Sequence, residues 1–570
     1  MDYFTHPSLS RGLITYIGNK RSLLPFISQG IDRIEAETGP VRTMADPFAG
    51  SGVVGRLGRL RGATVASGDM EEYTRPFGRS FLEVLPEEVE ELFSPTGGYR
   101  PTLDYLNSLQ GPDREEDALF SRHYAPRSTE EADPNRERLF YTRENGLRID
   151  AVLAAIHRDL PLSPLARDVL LASLLVEMSV HNNTSGVMKG FHHGWGGRGG
   201  DALSRIMAPI ELEVLPFITG PRGHTWVGPA EEFFPAMEAA GFGPFDLVYA
   251  DPPYNIHQYG ANYHLLTTAV RWDFYDPGPV RPGARAGIRT DHYRSDFCST
   301  RGNRARDAFA RFLEAARCRN LLVSYNNDGI IDARTMVDLL GEDGINTVQL
   351  LSREHHKFRG GKATQSALKT DEYLFVVHRG VRQSRRDREK LYGDVERMTL
   401  HRQLHDRFLL PSHWTALGGT ADKGRRSGNP VGSPWTLATP GGSRIVLSPE
   451  LRVLNVTRTD HDVPTDHGVP TGDHKLTRMA ENASGTVVQA VEELVLQNEL
   501  ETAVFLLQRL KIRKYRTDFL RLAALIAQAE PDSATRHRLE ELTTRVTGNT
   551  GTGNSVTGDI DPAGPPRSPR

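Results

Sequence analysis

The chain has 570 residues, of which 38% are hydrophobic and 25% charged, and its formal net charge is -3. These values are typical of a globular protein with two or three domains. The two cysteines, Cys298 and Cys318, without any Cys/His ligand spacing, exclude a disulfide scaffold and a zinc ribbon. The N-terminus has no apolar h-region, and the most apolar stretch, residues 169–180, is shorter than a membrane span. We therefore expect an intracellular protein without a membrane partner.

The first predicted elements surround two short motifs. Tyr16-Ile17-Gly18-Asn19-Lys20 places an aromatic ring and a cation before a predicted helix at residues 22–31. A strand at residues 42–45 leads into Asp46-Pro47-Phe48-Ala49-Gly50-Ser51-Gly52, and a helix begins at Val53. A glycine-rich turn from strand to helix lets a ligand approach the backbone at the positive end of the helix dipole. The turn predicts a ligand pocket, although it is not the GxGxxG dinucleotide fingerprint.

A second predicted strand, at residues 63–68, ends at Asp69. A carboxylate at the tip of the second strand is where the ribose hydroxyls of a nucleoside cofactor are held. In this spacing Asp69 is predicted to bind ribose; taken alone it would be a surface acid.

The most informative motif is Asp251-Pro252-Pro253-Tyr254, which follows a predicted buried strand at residues 245–250. Neither proline can donate a backbone hydrogen bond, so the turn presents only acceptors: the Asp251 carboxylate and the carbonyls beside the prolines. Acceptors that hold the hydrogens of a ring-bound amine draw its lone pair back onto nitrogen, and Tyr254 offers a face for the ring to stack on. The motif predicts a site that activates an amine on a flat ring. The alternative is a proline-rich loop that only ends a strand.

In this order the three motifs resemble the D12-type, Dam-like DNA adenine-N6 methyltransferases, over about residues 10–380. The resemblance implies an α/β, Rossmann-like SAM-dependent methyltransferase fold with a mixed, mostly parallel sheet, an inserted helical target-recognition lobe and a C-terminal helical extension. It also implies S-adenosylmethionine as cofactor and double-stranded DNA as partner, with no metal ion. The catalytic residues are then Asp251, Pro252, Pro253 and Tyr254, and the cofactor-binding residues are Tyr16, Lys20, Asp46, Phe48, Gly50, Gly52, Asp69 and Glu231.

Glu231 is included because the chain departs from the family pattern at one point. Where the family places an acid that contacts the cofactor adenine, this chain has Pro229. Either Glu231 takes over that contact, or the adenine is bound by backbone or water and Glu231 is a solvated residue in the first turn of a helix.

Residues predicted to contact nucleic acid come from two regions. Residues 181–191 resemble the family segment near the target base, and a glycine-rich loop follows; alternatively, this loop is a flexible surface turn. A cationic run lies at residues 353–369, for which the alternative is a solvated charged face. The predicted contacts are Asn183, Lys189, Arg198, Lys357, Arg359 and Lys362.

The predicted domain organisation places the catalytic domain at residues 1–74 and 223–382 and the inserted, mostly helical lobe at residues 75–222. Residues 383–484 are expected to be an irregular linker, with one possible strand pair near residues 435–437 and 444–447. A helical module is expected at residues 485–547 and a disordered tail at residues 548–570.

The combined hypothesis is a cytoplasmic, nucleoid-associated enzyme that methylates N6 of adenine in a specific DNA sequence after flipping the base out of the duplex. A restriction-modification or phage-defence system is a plausible setting, with a separate restriction endonuclease or defence subunit as a further partner. Two alternatives stay open: an RNA base amino-methyltransferase, and a relative that binds nucleic acid without catalysis.

Overall fold

The computed structural model describes residues 3–197, 199–356 and 369–404, four short strands between residues 420 and 458, and residues 487–508 and 516–547 without residues 497 and 499. The chain divides into two compact units, residues 1–388 and residues 389–570.

The first unit is built on a seven-stranded sheet in the order β3-β2-β1-β4-β5-β7-β6. Strands β1 to β5 pair in parallel, whereas β7 runs antiparallel to both of its neighbours. This confirms the predicted mixed, mostly parallel sheet. The strands are β1 Thr43–Asp46, β2 Thr64–Asp69, β3 His224–Val227, β4 Phe245–Ala250, β5 Cys318–Asn326, β6 Thr347–His356 and β7 Lys369–His378.

Two helices pack on the central strands through apolar side chains. Helix α1, Leu24–Thr38, and helix α2, Val53–Leu60, contribute Ile27, Ile31 and Leu57 to a core that also contains Met44 of β1 and Leu322 of β5. Burial of such aliphatic side chains stabilises the sheet by roughly 1.5–3 kcal/mol each. The packing fixes where each strand ends, and therefore where the residues after it lie.

The strand order places the ends of β1 and β4 side by side. Met44 and Ala45 pair with Leu247 and Val248 in parallel register. The chain leaves β1 towards β2 on one side of the sheet and leaves β4 towards β5 on the other side. Ligands of open α/β sheets bind in the crevice at such a switch point, at the carboxyl ends of the strands.

Seven described helices of the first unit lie between β2 and β3, where an insertion was predicted. They are α3 Arg75–Gly78, α4 Val89–Leu92, α5 Tyr99–Ser108, α6 Phe120–His123, α7 Arg143–Ala154, α8 Pro164–Val180 and α9 Leu203–Met207. Helix α8 contains the predicted apolar core helix, and its residues from Val169 to Leu175 are buried.

The insertion shares its core with the catalytic region. Its buried side chains form one cluster with Ile14 near the N-terminus and with Tyr263, Leu265 and Leu266 after β4. The inserted, mostly helical segment therefore packs as part of the first unit, because its apolar faces are covered by residues from both sides of it in the chain.

Five further helices of this unit follow β3, β4 and β5. They are α10 Ala230–Ala239, α11 Tyr259–Asn262, α12 His264–Arg271, α13 Arg304–Ala315 and α14 Ala333–Gly341. The chain breaks between α11 and α12 at Tyr263, whose φ of -125° is not helical. The Tyr263 hydroxyl accepts a hydrogen bond from the Ile17 backbone at 2.7 Å, so the break brings α11 and α12 against the N-terminal motif.

Residues 383–484, expected to be irregular, hold a helix and a small sheet where they are described. Helix α15, Arg385–Leu404, precedes a four-stranded antiparallel sheet, and the suggested pairing of residues 435–438 with residues 443–447 is present. Its strands are β8 Thr420–Lys423, β9 Trp435–Ala438, β10 Ser443–Leu447 and β11 Val453–Arg458. Turn-forming residues are frequent in this region, so strands of only four to six residues give a weak signal in the sequence.

The predicted C-terminal helical module has four described helices. The first two are separated at Asn498, which adopts a left-handed φ of 60°. The helices are α16 Val487–Leu496, α17 Leu500–Leu507, α18 Arg516–Gln528 and α19 Ser533–Thr547. No helix among the described residues combines the length and the apolar character that crossing a bilayer requires.

Candidate active site

An open cavity of about 970 Å³ lies at the carboxyl ends of β1 and β4. Its lining includes residues 16–20, residues 46–51 and residues 251–254, the three motifs predicted from the sequence. Residues 46–51 and 251–254 meet because each follows a parallel strand, and these strands end at the same edge of the sheet. Residues 16–20 precede α1 and line the same cavity without following a strand. Predicted residue Gly52 is not part of the lining; with a φ of 73° it forms the left-handed cap that begins α2.

An ion pair stands at the centre of the cavity. The Nζ atom of Lys20 lies 2.8 Å from Oδ2 of Asp251, and the Lys20 side chain is 5% exposed. Lys20 also donates a hydrogen bond to the Gly18 carbonyl at 3.2 Å, and its Nζ lies 5.2 Å from the centre of the Tyr254 ring. The lysine, expected to contact the cofactor, is thus also held against the catalytic motif.

Burial and the neighbouring lysine act on Asp251 in opposite directions. Burial raises the pKa of Asp251, because it disfavours the carboxylate, while the ammonium group of Lys20 lowers it. Conversely, the pKa of Lys20 is raised: burial lowers it, and the nearby groups Asp251, Tyr254, Tyr249 and Glu372 outweigh that effect. Together these effects leave the pKa of Asp251 raised, but by less than burial alone would raise it.

Glu372 is a charged neighbour that sequence reasoning did not select. It lies in β7 opposite Asn326 of β5, and its side chain is buried. Burial raises the pKa of Glu372 and Lys20 lowers it. In the sequence it is one acid in the run Asp371-Glu372, and only the register of the antiparallel strand brings it towards Lys20.

The backbone of the catalytic turn is held from outside the cavity. The Tyr254 carbonyl accepts a hydrogen bond from the Ile330 backbone at 3.0 Å. The Tyr254 ring makes an edge contact with Tyr325, with ring centres 5.8 Å apart. With Pro252 buried and two rigid prolines in the turn, the acceptors of this corner have fixed directions.

A stack of tyrosines forms one wall. The Tyr16 ring stacks on Tyr259 at 5.3 Å and on Tyr263 at 4.9 Å. Gly50 has a φ of +51°, and a Cβ added there would lie 3.0 Å from the Tyr16 ring. A side chain at residue 50 would therefore be strained and would press on the ring, so this turn needs glycine.

Carboxylates line the cavity beside the glycine turn. Asp69 accepts hydrogen bonds from the backbone N–H groups of Gly50 at 2.8 Å and Glu71 at 2.9 Å, and burial raises its pKa to about 6. Burial, together with the charges of Asp251 and Asp69, raises the pKa of Asp46 to about 8. Burial and the charge of Asp69 raise the pKa of Glu71 to about 8 as well. Such a cluster of buried acids favours a cationic ligand, since a positive charge would stabilise their ionised forms.

Glu71 was not among the predicted site residues, although it stands only two residues after Asp69. Other lining residues that sequence reasoning did not select include Tyr259, Tyr293, Ser295 and Phe297. Tyr259 follows the catalytic motif closely, but the other three belong to a long loop whose sequence gives no sign of where it packs.

Two predicted cofactor residues lie at the far side of the cavity. Glu231 lines it from the first turn of α10, a position that fits both the contact to the cofactor adenine and the alternative of a first-turn helix residue. The Phe48 ring makes edge contacts with Phe297 at 5.3 Å and Phe312 at 5.0 Å, which anchors the turn between β1 and α2.

The predicted nucleic-acid contacts have different environments. Asn183 is fully buried, and its side-chain amide bonds the backbone of His192, Gly194 and Gly196, so it holds a loop instead of facing a groove. Lys189, in contrast, is exposed. The other four predicted contacts, Arg198, Lys357, Arg359 and Lys362, lie outside the described residues.

Comparison with known proteins agrees with the resemblance to D12-type methyltransferases noted in the sequence. Residues 16–196 and 234–277 match the family described as D12 class N6 adenine-specific DNA methyltransferase. Type II methyltransferase M.NlaIII of Neisseria lactamica is 26% identical over 373 residues, which is 64% of this chain and 99% of the relative.

Two further relatives are longer. Modification methylase LlaI of Lactococcus lactis subsp. lactis is 28% identical over 350 residues, and Type II methyltransferase M.FokI of Planomicrobium okeanokoites is 25% identical over 379 residues. The matches cover 60% and 64% of this chain but only 51% and 53% of these two relatives. The chain thus spans about half the length of LlaI and M.FokI.

Proposed function

We propose that this chain transfers the methyl group of S-adenosylmethionine to N6 of an adenine in a specific sequence of duplex DNA, because residues 16–196 and 234–277 match the D12 class N6 adenine-specific DNA methyltransferase family. One observation carries the proposal: the glycine turn and the acceptor-only corner at residues 251–254 line a single cavity. A cofactor and a target amine can therefore meet there.

The donors and acceptors of the cavity fit the proposed cofactor. Asp69, at the tip of β2, is the acceptor for ribose hydroxyls, and Glu231 is the acceptor for the adenine amino group. The buried acids beside them suit the positive sulfonium. When bound, the cofactor supplies an electrophilic methyl group.

The pH dependence of cofactor binding tests this fit. Asp46 and Glu71 have pKa values of about 8, so both are largely protonated at pH 7 in the free protein. A bound cation favours their ionised forms, so binding should release protons and the affinity should rise between pH 6 and pH 8. The expected rise is about tenfold per pH unit for each proton released. Calorimetry in two buffers of different ionisation enthalpy measures the release.

S-adenosylhomocysteine is the matched control, since it lacks the sulfonium charge. Its affinity should depend less steeply on pH. Identical pH slopes for both ligands would show that these acids do not respond to the cofactor charge.

The chain's own groups prepare the target amine. Asp251 and a carbonyl beside Pro252 or Pro253 accept the two N6 hydrogens and direct the nitrogen lone pair towards the methyl group. The new N–C bond forms as the S–C bond breaks, and N6 afterwards loses one proton. Fixed orientation lowers the barrier, and acceptors aimed at N6 stabilise the positive charge that develops on it.

Base capture should depend on the Tyr254 ring. A base must first leave the duplex, which costs a few kcal/mol, and stacking on an aromatic ring offsets roughly 1–3 kcal/mol of that cost. Tyr254→Ala should therefore raise the KM for DNA about 5- to 100-fold, whereas Tyr254→Phe and Tyr254→Trp should keep part of the activity. Steady-state kinetics on duplex DNA separates these cases. Equal losses in the Ala and Phe variants would assign the effect to the hydroxyl group instead of the ring.

The substrate is tested by incubating the protein with methyl-labelled S-adenosylmethionine and either duplex DNA or RNA. Label in DNA as N6-methyladenine supports the proposal, label in RNA supports the RNA alternative, and no label in either supports a non-catalytic relative. Long-read sequencing of DNA from cells that express the protein then gives the methylated base and its sequence context.

The names of the relatives suggest the biological setting. M.NlaIII and M.FokI are named Type II methyltransferases and LlaI a modification methylase, so we place this chain in a restriction-modification system. A separate restriction endonuclease or defence subunit is the partner this setting would supply. Deletion of the protein should leave its genomic sites unmethylated. Cleavage of those sites would then support a restriction-modification setting.

A further inference from the structure

Ile256 is an apolar side chain in an unusual place. It is 63% exposed, the highest value among the large hydrophobic residues described in the first unit. It stands two residues after Tyr254, so its backbone lies within roughly 7 Å of the tyrosine backbone. An isolated exposed apolar residue needs no explanation in general, but this one lies between Tyr254 and Gln258, which both line the catalytic cavity.

The turn that presents Ile256 is fixed on both sides. Asn255 Oδ1 accepts a hydrogen bond from the His257 backbone at 2.9 Å. Gln258 exchanges two hydrogen bonds with the Ser295 backbone, at 2.8 and 3.3 Å. The Cys298 thiol donates to the His257 carbonyl at 3.2 Å. These hydrogen bonds fix the turn, so the Ile256 side chain is kept in its exposed position.

Exposed cations lie in segments near this turn. Lys189 follows Met188, whose backbone N–H donates to the Asn262 carbonyl of α11, the helix after the turn, at 2.7 Å. Arg301 and Arg304 come shortly after Cys298; all three cations are exposed, and Arg304 lies 3.9 Å from Asp296. An apolar tip with cations nearby matches the chemistry of duplex DNA, with apolar stacked bases between phosphate chains.

We propose that Ile256 inserts into the duplex beside the target adenine and fills the space in the base stack that the flipped base leaves. Apolar side chains can take such a place because they replace stacking contacts without needing hydrogen-bond partners. The inference rests on the proposed function and adds the residue that holds the duplex open. The Tyr254 ring receives the base, whereas Ile256 prevents its return.

The test compares two duplexes that carry the recognised sequence, once long-read sequencing has defined it. In one the target adenine faces thymine; in the other it faces an abasic site, so little energy is needed to extrude it. Ile256→Ala should lower kcat/KM about 10- to 50-fold on the paired duplex and less than about 3-fold on the abasic one. Ile256→Leu should keep most of the activity on both.

Fluorescence of 2-aminopurine at the target position provides a second readout. Wild-type protein should increase it on binding, and Ile256→Ala should increase it less at saturating protein. The matched control is Ile345→Ala, since Ile345 is also exposed, at 51%, and follows α14 on the way to β6. That variant should behave as wild type in both assays.

Equal losses on the two duplexes, or no loss on either, would overturn the wedge role of Ile256. Failure of the wild-type protein to methylate either duplex would instead count against the proposed function, so the two ideas fail separately.

Discussion

Asp251→Ala should reduce methyl transfer to duplex DNA by about 10³-fold or more while cofactor binding is retained. The variant removes the only side-chain acceptor of the acceptor-only corner, and the carbonyls beside the prolines cannot orient the amine alone. Since Asp251 is also the partner of Lys20 at 2.8 Å, the variant leaves a buried ammonium unpaired. Asp251→Asn is the matched change, because it keeps the size and one oxygen acceptor but removes the charge.

Three measurements separate chemistry from folding in these variants. Methyl incorporation into DNA reports transfer, calorimetry with S-adenosylmethionine reports cofactor binding, and thermal unfolding reports stability. Breaking a buried ion pair can cost about 3–5 kcal/mol, so a lower Tm is expected for both variants. Transfer near the wild-type rate in either variant would remove Asp251 from the proposed role.

Lys20→Met should make methyl transfer strongly pH-dependent. Burial raises the pKa of Asp251, and Lys20 is the group that opposes this rise. Without the ammonium, the pKa of Asp251 should rise further, and the carboxyl group should be protonated at neutral pH. A protonated Asp251 accepts poorly, so kcat should fall about 10- to 100-fold at pH 7 and recover in part towards pH 9.

The expected shift of the acidic limb of the pH–kcat profile is about 1–3 units towards higher pH, as for a carboxylate that loses an opposite charge. Asp46 also acts on this region through its charge, and Glu372 and Tyr254 act on Lys20, so the profile reports the cluster and not one isolated acid. Lys20→Arg keeps the charge and should shift the limb less.

The same variant tests the cofactor contact predicted for Lys20. If Lys20 also binds the cofactor, the KM for S-adenosylmethionine should rise at every pH. A uniform fall in kcat from pH 6 to pH 9, with no change in its pH profile, would show that Lys20 does not control the ionisation of Asp251.

Much of the site could be predicted from local sequence. The strand at residues 245–250 is present as β4 with the same bounds, and the strands before residues 46 and 69 end as expected. Buried parallel strands are continuous apolar runs, and glycine or proline turns end them, so both signals are local. Membership of the sheet then places every such turn at one edge.

For other parts of the chain, the packing could not be predicted from the sequence. Asn183 was expected near a base and is instead buried in a loop, because the backbone groups that it bonds come from residues 192–196. The predicted helical insertion packs into one core with residues after β4. Neither outcome follows from local propensity, because each depends on which residues distant in the chain pack together.

The sequence by itself determined the residue types of the site: a glycine turn that lets a ligand approach the backbone, and a corner that presents only acceptors. These properties belong to backbone and side-chain types, and they hold wherever the segment lies. Only the tertiary structure decided that Lys20 pairs with Asp251, that Glu71 and Glu372 add acidic groups near the site, and that Ile256 is exposed. Burial and proximity set the pKa values and the exposure of these groups, and both arise from the packing of segments far apart in the chain.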